Sequence, residues 1–115
     1  RATAPSHAVY AASKGAVESL TRGMALDYGP QGVRVNCVLP GLVDGPQSRK
    51  VISRLTDDVE GYLETWIKSK QTLSYLTGQD DVGRVIAFLL SDDARAITGQ
   101  AIVVDGGTLA QVSDR

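Results

Sequence analysis

Tyr10-Ala11-Ala12-Ser13-Lys14 carries the residue pair in this chain best suited to chemistry. On a helix, a tyrosine and a lysine four apart share one face, one turn from each other. A cation beside a phenol favours the phenolate and lowers the phenol's pKa from its ordinary value of about 10. Tyr10 in that setting can give or take a proton near neutral pH. The same spacing also suits a surface Tyr and a surface Lys on an amphipathic helix, so the pair needs other residues to argue for it. His7, the single histidine, lies near the start of the helical pattern and reads as a helix-end or surface residue rather than a base. Cys37, the single cysteine, has no His or cation placed to activate it and reads as a small core residue. One His and one Cys make no ligand cluster, so no metal is expected.

The elements that must position the pair follow from the pattern. Ser6 is a candidate N-cap for a long helix that runs to Gly29-Pro30. Val17, Leu20 and Met24 form its apolar stripe, extended by Ala16 and Ala25. Ala11, Gly15, Ser19 and Gly23 form a second line of small residues, suited either to close packing within one subunit or to a helix across a dimer interface. Residues 33–39 read as a strand with Val33, Val35, Cys37 and Leu39 on one face. Asn36 in that strand needs hydrogen-bond partners for its amide. Pro40-Gly41 ends the strand, and a turn at the carboxyl end of a strand is where open α/β sheets bind ligands.

Beyond the loop at 42–46, residues 47–55 read as a short helix, and Asp57 or Asp58 caps another. The apolar positions of that second helix are Val59, Tyr62, Leu63, Trp66 and Ile67. The segment 44–76 is either ordinary core or a lid over the presumed site. Thr77-Gly78-Gln79-Asp80 suits a capping box for a helix with Val82, Val85, Ile86, Leu89 and Leu90 inward. Helix-dipole effects explain acidic pairs at 57–58 and 80–81, but not Asp92-Asp93 at a helix end. Ala101-Ile102-Val103-Val104 reads as a second strand beside and parallel to the first. The tail after Leu109 is expected to fray.

The chain has 115 residues, 43% of them hydrophobic, and a formal charge of −1, as expected for one domain or part of one. No basic surplus exists, so nucleic acid and anionic membranes are not expected partners. No apolar run is long enough for a membrane span, and Arg1-Ala2-Thr3-Ala4-Pro5 has no signal-peptide character. A cytoplasmic protein is expected.

In order along nearly the whole chain stand Tyr10-x-x-x-Lys14 with Ser13 before the Lys, Val33-Arg34-Val35-Asn36 running to Pro40-Gly41, Phe88-Leu89-Leu90-Ser91-Asp92, Ile97-Thr98-Gly99-Gln100 and Val104-Asp105-Gly106-Gly107. With these motifs the chain resembles the C-terminal half of the short-chain dehydrogenase/reductase family. The resemblance implies an α/β fold: residues 1–115 as the C-terminal portion of one doubly wound, parallel-sheet, Rossmann-like nucleotide-binding domain, with a lid-like insert at about 44–76. It implies an oxidoreductase that uses NAD or NADP to interconvert an alcohol and a carbonyl in a small-molecule substrate. It makes Tyr10 the proton donor or acceptor. Lys14 lowers the phenol's pKa and binds the nicotinamide ribose, so both residues lie at the cofactor. Pro40, Gly41, Leu42 and Val43 would lie beside the nicotinamide, with the Val43 backbone contacting its carboxamide.

The departures are equally specific. The family's Gly-rich phosphate-binding turn, its Asn-rich segment and its catalytic Ser would all precede Tyr10, and only nine residues do. The 115-residue piece alone is therefore expected to be inactive. It is expected to need a missing N-terminal half, or to associate with copies of itself as a homo-oligomer. Gly45 stands where the family often has Thr, which removes a hydroxyl from the cofactor side of the loop. The rival expectation is a non-catalytic, dehydrogenase-like assembly or interaction module in which Tyr10 and Lys14 are idle.

Overall fold

Helix α1, His7–Tyr28, is the longest element of the chain at 22 residues. The computed structural model describes residues 7–110, and for residues 7, 8 and 10 the backbone alone. The proposed Ser6 cap, the His7 side chain and the tail from residue 111 lie outside the described residues. The chain divides into two compact units, the first of residues 1–39 and 87–102, the second of residues 40–86 and 103–115.

In the first unit, α1 ends at a 3-10 turn, Gly29–Gln31, whose second residue is Pro30. Gly32 follows at φ 79°, a left-handed conformation that favours glycine, and its N–H donates to the Gly29 carbonyl at 2.9 Å. The buried line of α1 is not the expected stripe. Thr21 and Ala25 are buried, and Lys14 and Glu18 are half-buried, at spacings of four, three and four. A Cβ at Gly99 would stand 3.4 Å from the Ala25 methyl, so α1 meets this loop through small residues. Val17, Leu20 and Met24 stay exposed at 46%, 62% and 37%, and so do Ala11, Gly15, Ser19 and Gly23. At Ala25 a bulky side chain would prevent this approach of the Gly99 loop.

The first strand is shorter than the pattern predicts. β1 is Cys37–Pro40, and residues 33–36 precede it without strand pairing. The reason lies opposite them, where the chain turns at Thr98-Gly99 with Gly99 at φ 73°. Side-chain bonds supplement one backbone bond here: the Gly99 N–H donates to the Val35 carbonyl at 2.7 Å, the Val35 N–H donates to the Thr98 hydroxyl at 3.0 Å, and the Asn36 amide donates to the Ile97 carbonyl at 3.0 Å. The Asn36 carbonyl oxygen also accepts from the Gln100 N–H at 3.0 Å, so its amide is paired as buried amides must be. Arg34 donates to the carbonyls of Leu89 at 2.7 Å, Ser91 at 3.2 Å and Ile97 at 3.4 Å. It thereby satisfies carbonyls left over at a helix C-terminus. Asp92 and Asp93 open a 3-10 turn, Asp92–Ala94, so they sit at an N-terminus, where acidic residues are favourable.

β2 is Ala101–Val104, as the pattern predicts, and pairs with β1 in a two-stranded sheet. The Cys37 N–H donates to the Gln100 carbonyl, and the Gly41 N–H to the Val104 carbonyl. The constant offset makes the pairing parallel.

In the second unit, α2 spans Pro46–Ser53, with proline where its missing N–H costs nothing. α3 spans Val59–Lys70, and its cap Asp58 accepts from the Gly61 N–H at 2.9 Å. Ile52 of α2 and Leu63 of α3 are buried, with Val59, Trp66 and Ile67 half-buried; Tyr62 is more exposed than the pattern suggests. α4 is Gln79–Leu90. Its expected capping box is displaced by one residue, because the Asp81 carboxylate, not Asp80, reaches back to the Gly78 N–H at 2.8 Å. On α4, Leu89 is buried and Val82 and Val85 are half-buried, whereas Ile86 and Leu90 are exposed. Among the described residues, no helix is long and apolar enough to cross a membrane.

Candidate functional site

α1 carries residues 10 and 14 one helical turn apart, as the proposed pair requires. The Tyr10 side chain lies outside the described residues. Lys14 is half-buried. Ser13, between them, donates its hydroxyl to the Val9 carbonyl at 2.9 Å within the same helix. Tyr10 and Lys14 belong to the first unit, and Pro40, Gly41, Leu42 and Val43 to the second.

The loop leaving β1 is tightly specified. A Cβ at Gly41 would stand 2.7 Å from the Asp105 Cβ, so the turn after Pro40 admits only glycine. Asp105 accepts from the N–H groups of Gly107 at 2.8 Å and Leu109 at 2.9 Å, which fixes the turn that it opens. Gly106 and Gly107 have φ of 64° and 90°, and the Gly106 carbonyl accepts from the N–H groups of Thr72 and Leu73 at 3.0 Å each. The Asp105-Gly106-Gly107 motif therefore has a structural reason of its own.

Three residues that sequence reasoning did not single out hold the far end of the loop. Asp44 donates its N–H to the Thr77 carbonyl at 2.8 Å and pairs with Gly78 in an isolated parallel bridge. Its carboxylate takes two bonds from Arg49, at 2.6 Å from Nε and 3.2 Å from an Nη, and Arg49 also pairs with Glu60. The Arg49 hydrogen bond holds the Asp44 carboxyl below the usual carboxylate range, and Asp44, then Glu60, push the guanidinium's pKa upward.

Ser48 donates its hydroxyl to the Val43 carbonyl at 2.7 Å and accepts from the Gly45 N–H at 3.2 Å. A serine two residues after Gly45-Pro46 is a capping signal, and it was the available clue. A Cβ at residue 45 would stand 2.6 Å from Gln79 Nε2, so Gln79 occupies the room that the family's threonine would use.

Tyr75 donates its hydroxyl to Asp81, which lowers the pKa of that carboxyl and raises that of the phenol. Tyr75 thus keeps its proton, unlike the tyrosine sought beside a cation.

Val43 presents a donor and an acceptor together. Its carbonyl is fixed by Ser48, and its N–H has no hydrogen-bond partner among the described residues. A primary carboxamide, with one oxygen and one NH₂, is the complementary group.

A family model described as Enoyl-(Acyl carrier protein) reductase matches residues 1–108. A probable short-chain type dehydrogenase/reductase of Bradyrhizobium diazoefficiens is 40% identical over 103 residues, which are 90% of this chain and 34% of that protein. The solved structure of a 4-hydroxyisoleucine dehydrogenase complexed with NADH is 35% identical, with a TM-score of 0.76 over 96% of this chain and 42% of that one. L-sorbose reductase from Gluconobacter frateurii, complexed with NADPH and L-sorbose, is 28% identical, with a TM-score of 0.83 over 90% of this chain and 41% of that one. The chain spans less than half the length of each of these three relatives.

Proposed function

Since this chain belongs to the short-chain dehydrogenase/reductase family, we propose that its protein is an oxidoreductase interconverting an alcohol and a carbonyl with NAD or NADP. The observation that carries the reading is Tyr10-x-x-x-Lys14 lying one turn apart on α1, within a family match over residues 1–108. Relatives solved with NADH and with NADPH support the class of cofactor and leave both members of it in place. The donor and acceptor of Val43 fit a nicotinamide carboxamide, and Pro40, Gly41 and Leu42 lead the backbone to it.

The hydride at the substrate carbon would be supplied or taken up by the nicotinamide when it is bound. Tyr10 moves the matching proton: its hydroxyl protonates the substrate oxygen during reduction and receives the proton during oxidation. Lys14 stabilises the phenolate left on Tyr10 and donates to the nicotinamide ribose. The segment 44–76 acts as a lid that orders over substrate and excludes water.

Tyr10→Phe in the whole protein tests the reading. Turnover should fall by about a hundredfold to ten-thousandfold, while cofactor affinity stays near wild type, because the proton donor goes and the ring remains. Steady-state kinetics with a reducible ketone and a cofactor titration give both numbers. Wild-type turnover in the Phe variant would contradict the assignment.

A further inference from the structure

We infer that Ser48 is a positioning residue for the cofactor's carboxamide, acting through the Val43 carbonyl; this rests on the carboxamide reading of Val43 given above. Val43 lies in the loop between Gly41 and Pro46, between the end of β1 and the isolated bridge of Asp44 with Gly78. Other contacts fix its neighbours. Gly41 is held by the Val104 carbonyl at 3.0 Å and Asp44 by the Thr77 carbonyl at 2.8 Å. The Val43 carbonyl shares its peptide plane with the Asp44 N–H, so the Thr77 contact sets that plane, and among the described residues the Ser48 hydroxyl is the contact made to the carbonyl oxygen itself, at 2.7 Å. The same hydroxyl lies 3.1 Å from the Gly45 carbonyl and accepts from the Gly45 N–H, so its proton is directed into this loop. A carbonyl oxygen has two lone pairs, and with one committed to Ser48 the other is aimed for an incoming NH₂. A threonine at residue 45 would bring a hydroxyl from the loop itself. Here Gly45 brings none, and the hydroxyl against the loop comes from α2.

The alternative is that Ser48 serves only as a helix-capping residue at the start of α2. The two roles separate through the chemistry of the ligand. A capping serine supports the whole loop and affects every nicotinamide ligand alike. A serine that orients the Val43 carbonyl matters only for a ligand with an NH₂ to donate. The 3-acetylpyridine analogue of the dinucleotide keeps the carbonyl oxygen and replaces NH₂ with methyl.

The experiment measures dissociation constants by calorimetry for the whole protein, wild type and Ser48→Ala. The ligands are the natural dinucleotide, NAD or NADP according to which binds more tightly, and its 3-acetylpyridine analogue. Ser48→Ala should weaken the natural dinucleotide by about threefold to tenfold, the range for one hydrogen bond, and leave the analogue's affinity nearly unchanged. Ser48→Thr, which keeps the hydroxyl, should behave as wild type. Ser48→Cys, close in size and a weaker donor, should show the same selective loss and serves if the Ala variant fails to fold. Equal losses for both ligands would overturn the proposal in favour of plain capping. If the wild type does not distinguish the two ligands, the carboxamide reading of Val43 falls, and the role of Ser48 falls with it.

Discussion

The side-chain bonds at residues 34–36 of the first unit and at Ser48 and Arg49 of the second differ in reach. In the first, the side-chain bonds made by or to residues 34–36 join groups 55 to 64 residues apart in sequence. In the second, Ser48 and Arg49 hold the loop after β1 through bonds that span only 3 or 5 residues. Long-range bonds form only when the fold forms, so their loss is felt by the unit as a whole. Local bonds shape a loop with little effect on the rest. The side chains that brace the proposed cofactor loop thus act locally, while its backbone is anchored at a distance by Thr77 and Val104. Damage to the long-range bonds at residues 34–36 should lower stability, and damage to the local ones at Ser48 and Arg49 should lower affinity and local order.

The sharpest way to break that contrast is Arg34→Ala. It leaves the carbonyls of Leu89, Ser91 and Ile97 without their charged donor. The whole protein should lose about 2 kcal/mol of unfolding free energy, since hydrogen bonds to charged groups count for more than neutral ones. Denaturant unfolding measures this, and Arg34→Lys should recover only part, because one ammonium cannot span three carbonyls as a guanidinium does. A stability loss near zero would erase the distinction between the two sets of bonds.

A smaller and local effect is expected at Asp44. Asp44→Asn weakens the Arg49 fork and should raise hydrogen exchange in residues 44–76 without lowering global stability. In the wild type, cofactor with substrate should slow exchange across the same segment, as a lid that orders on binding requires. Acid gives the same test by another route. The folded carboxyl of Asp44 titrates below its unfolded value, so its stabilisation is complete above about pH 4 and fades as pH falls through the lower, folded value. Exchange that is identical with and without ligands would favour 44–76 as plain core.

The sequence was most legible where one local rule governs. The long helix, the apolar strand 101–104 and an acidic cap at residue 57 or 58 each follow from short-range pattern, and each is present, the cap at Asp58. It was least legible where partners are distant. Residues 33–36 alternate like a strand, yet they bond the Thr98 hydroxyl, the Ile97 carbonyl and the Gln100 N–H, two of the three through the Asn36 side chain, which no periodicity reveals. The helix pattern leaves open whether the Val17-Leu20-Met24 stripe or the line of small residues is exposed; both are, and the contact with the Gly99 loop is made by Ala25. Of the candidate site, the residues with chemistry in their side chains stood out from spacing and from the family motifs. Ser48 did not, because its capping signal after Gly45-Pro46 does not tell which loop carbonyl its hydroxyl meets.

The most direct measurement of the proposed proton pair is the pH dependence of turnover in the whole protein, wild type against Lys14→Ala. Lys14 is half-buried one turn from residue 10, and removing its charge takes away what favours the phenolate of Tyr10. Turnover should fall, and the limb of the pH–rate profile that reports the phenol should move to higher pH in the Ala variant. A limb that stays at the wild-type pH would contradict the pairing of Tyr10 with Lys14.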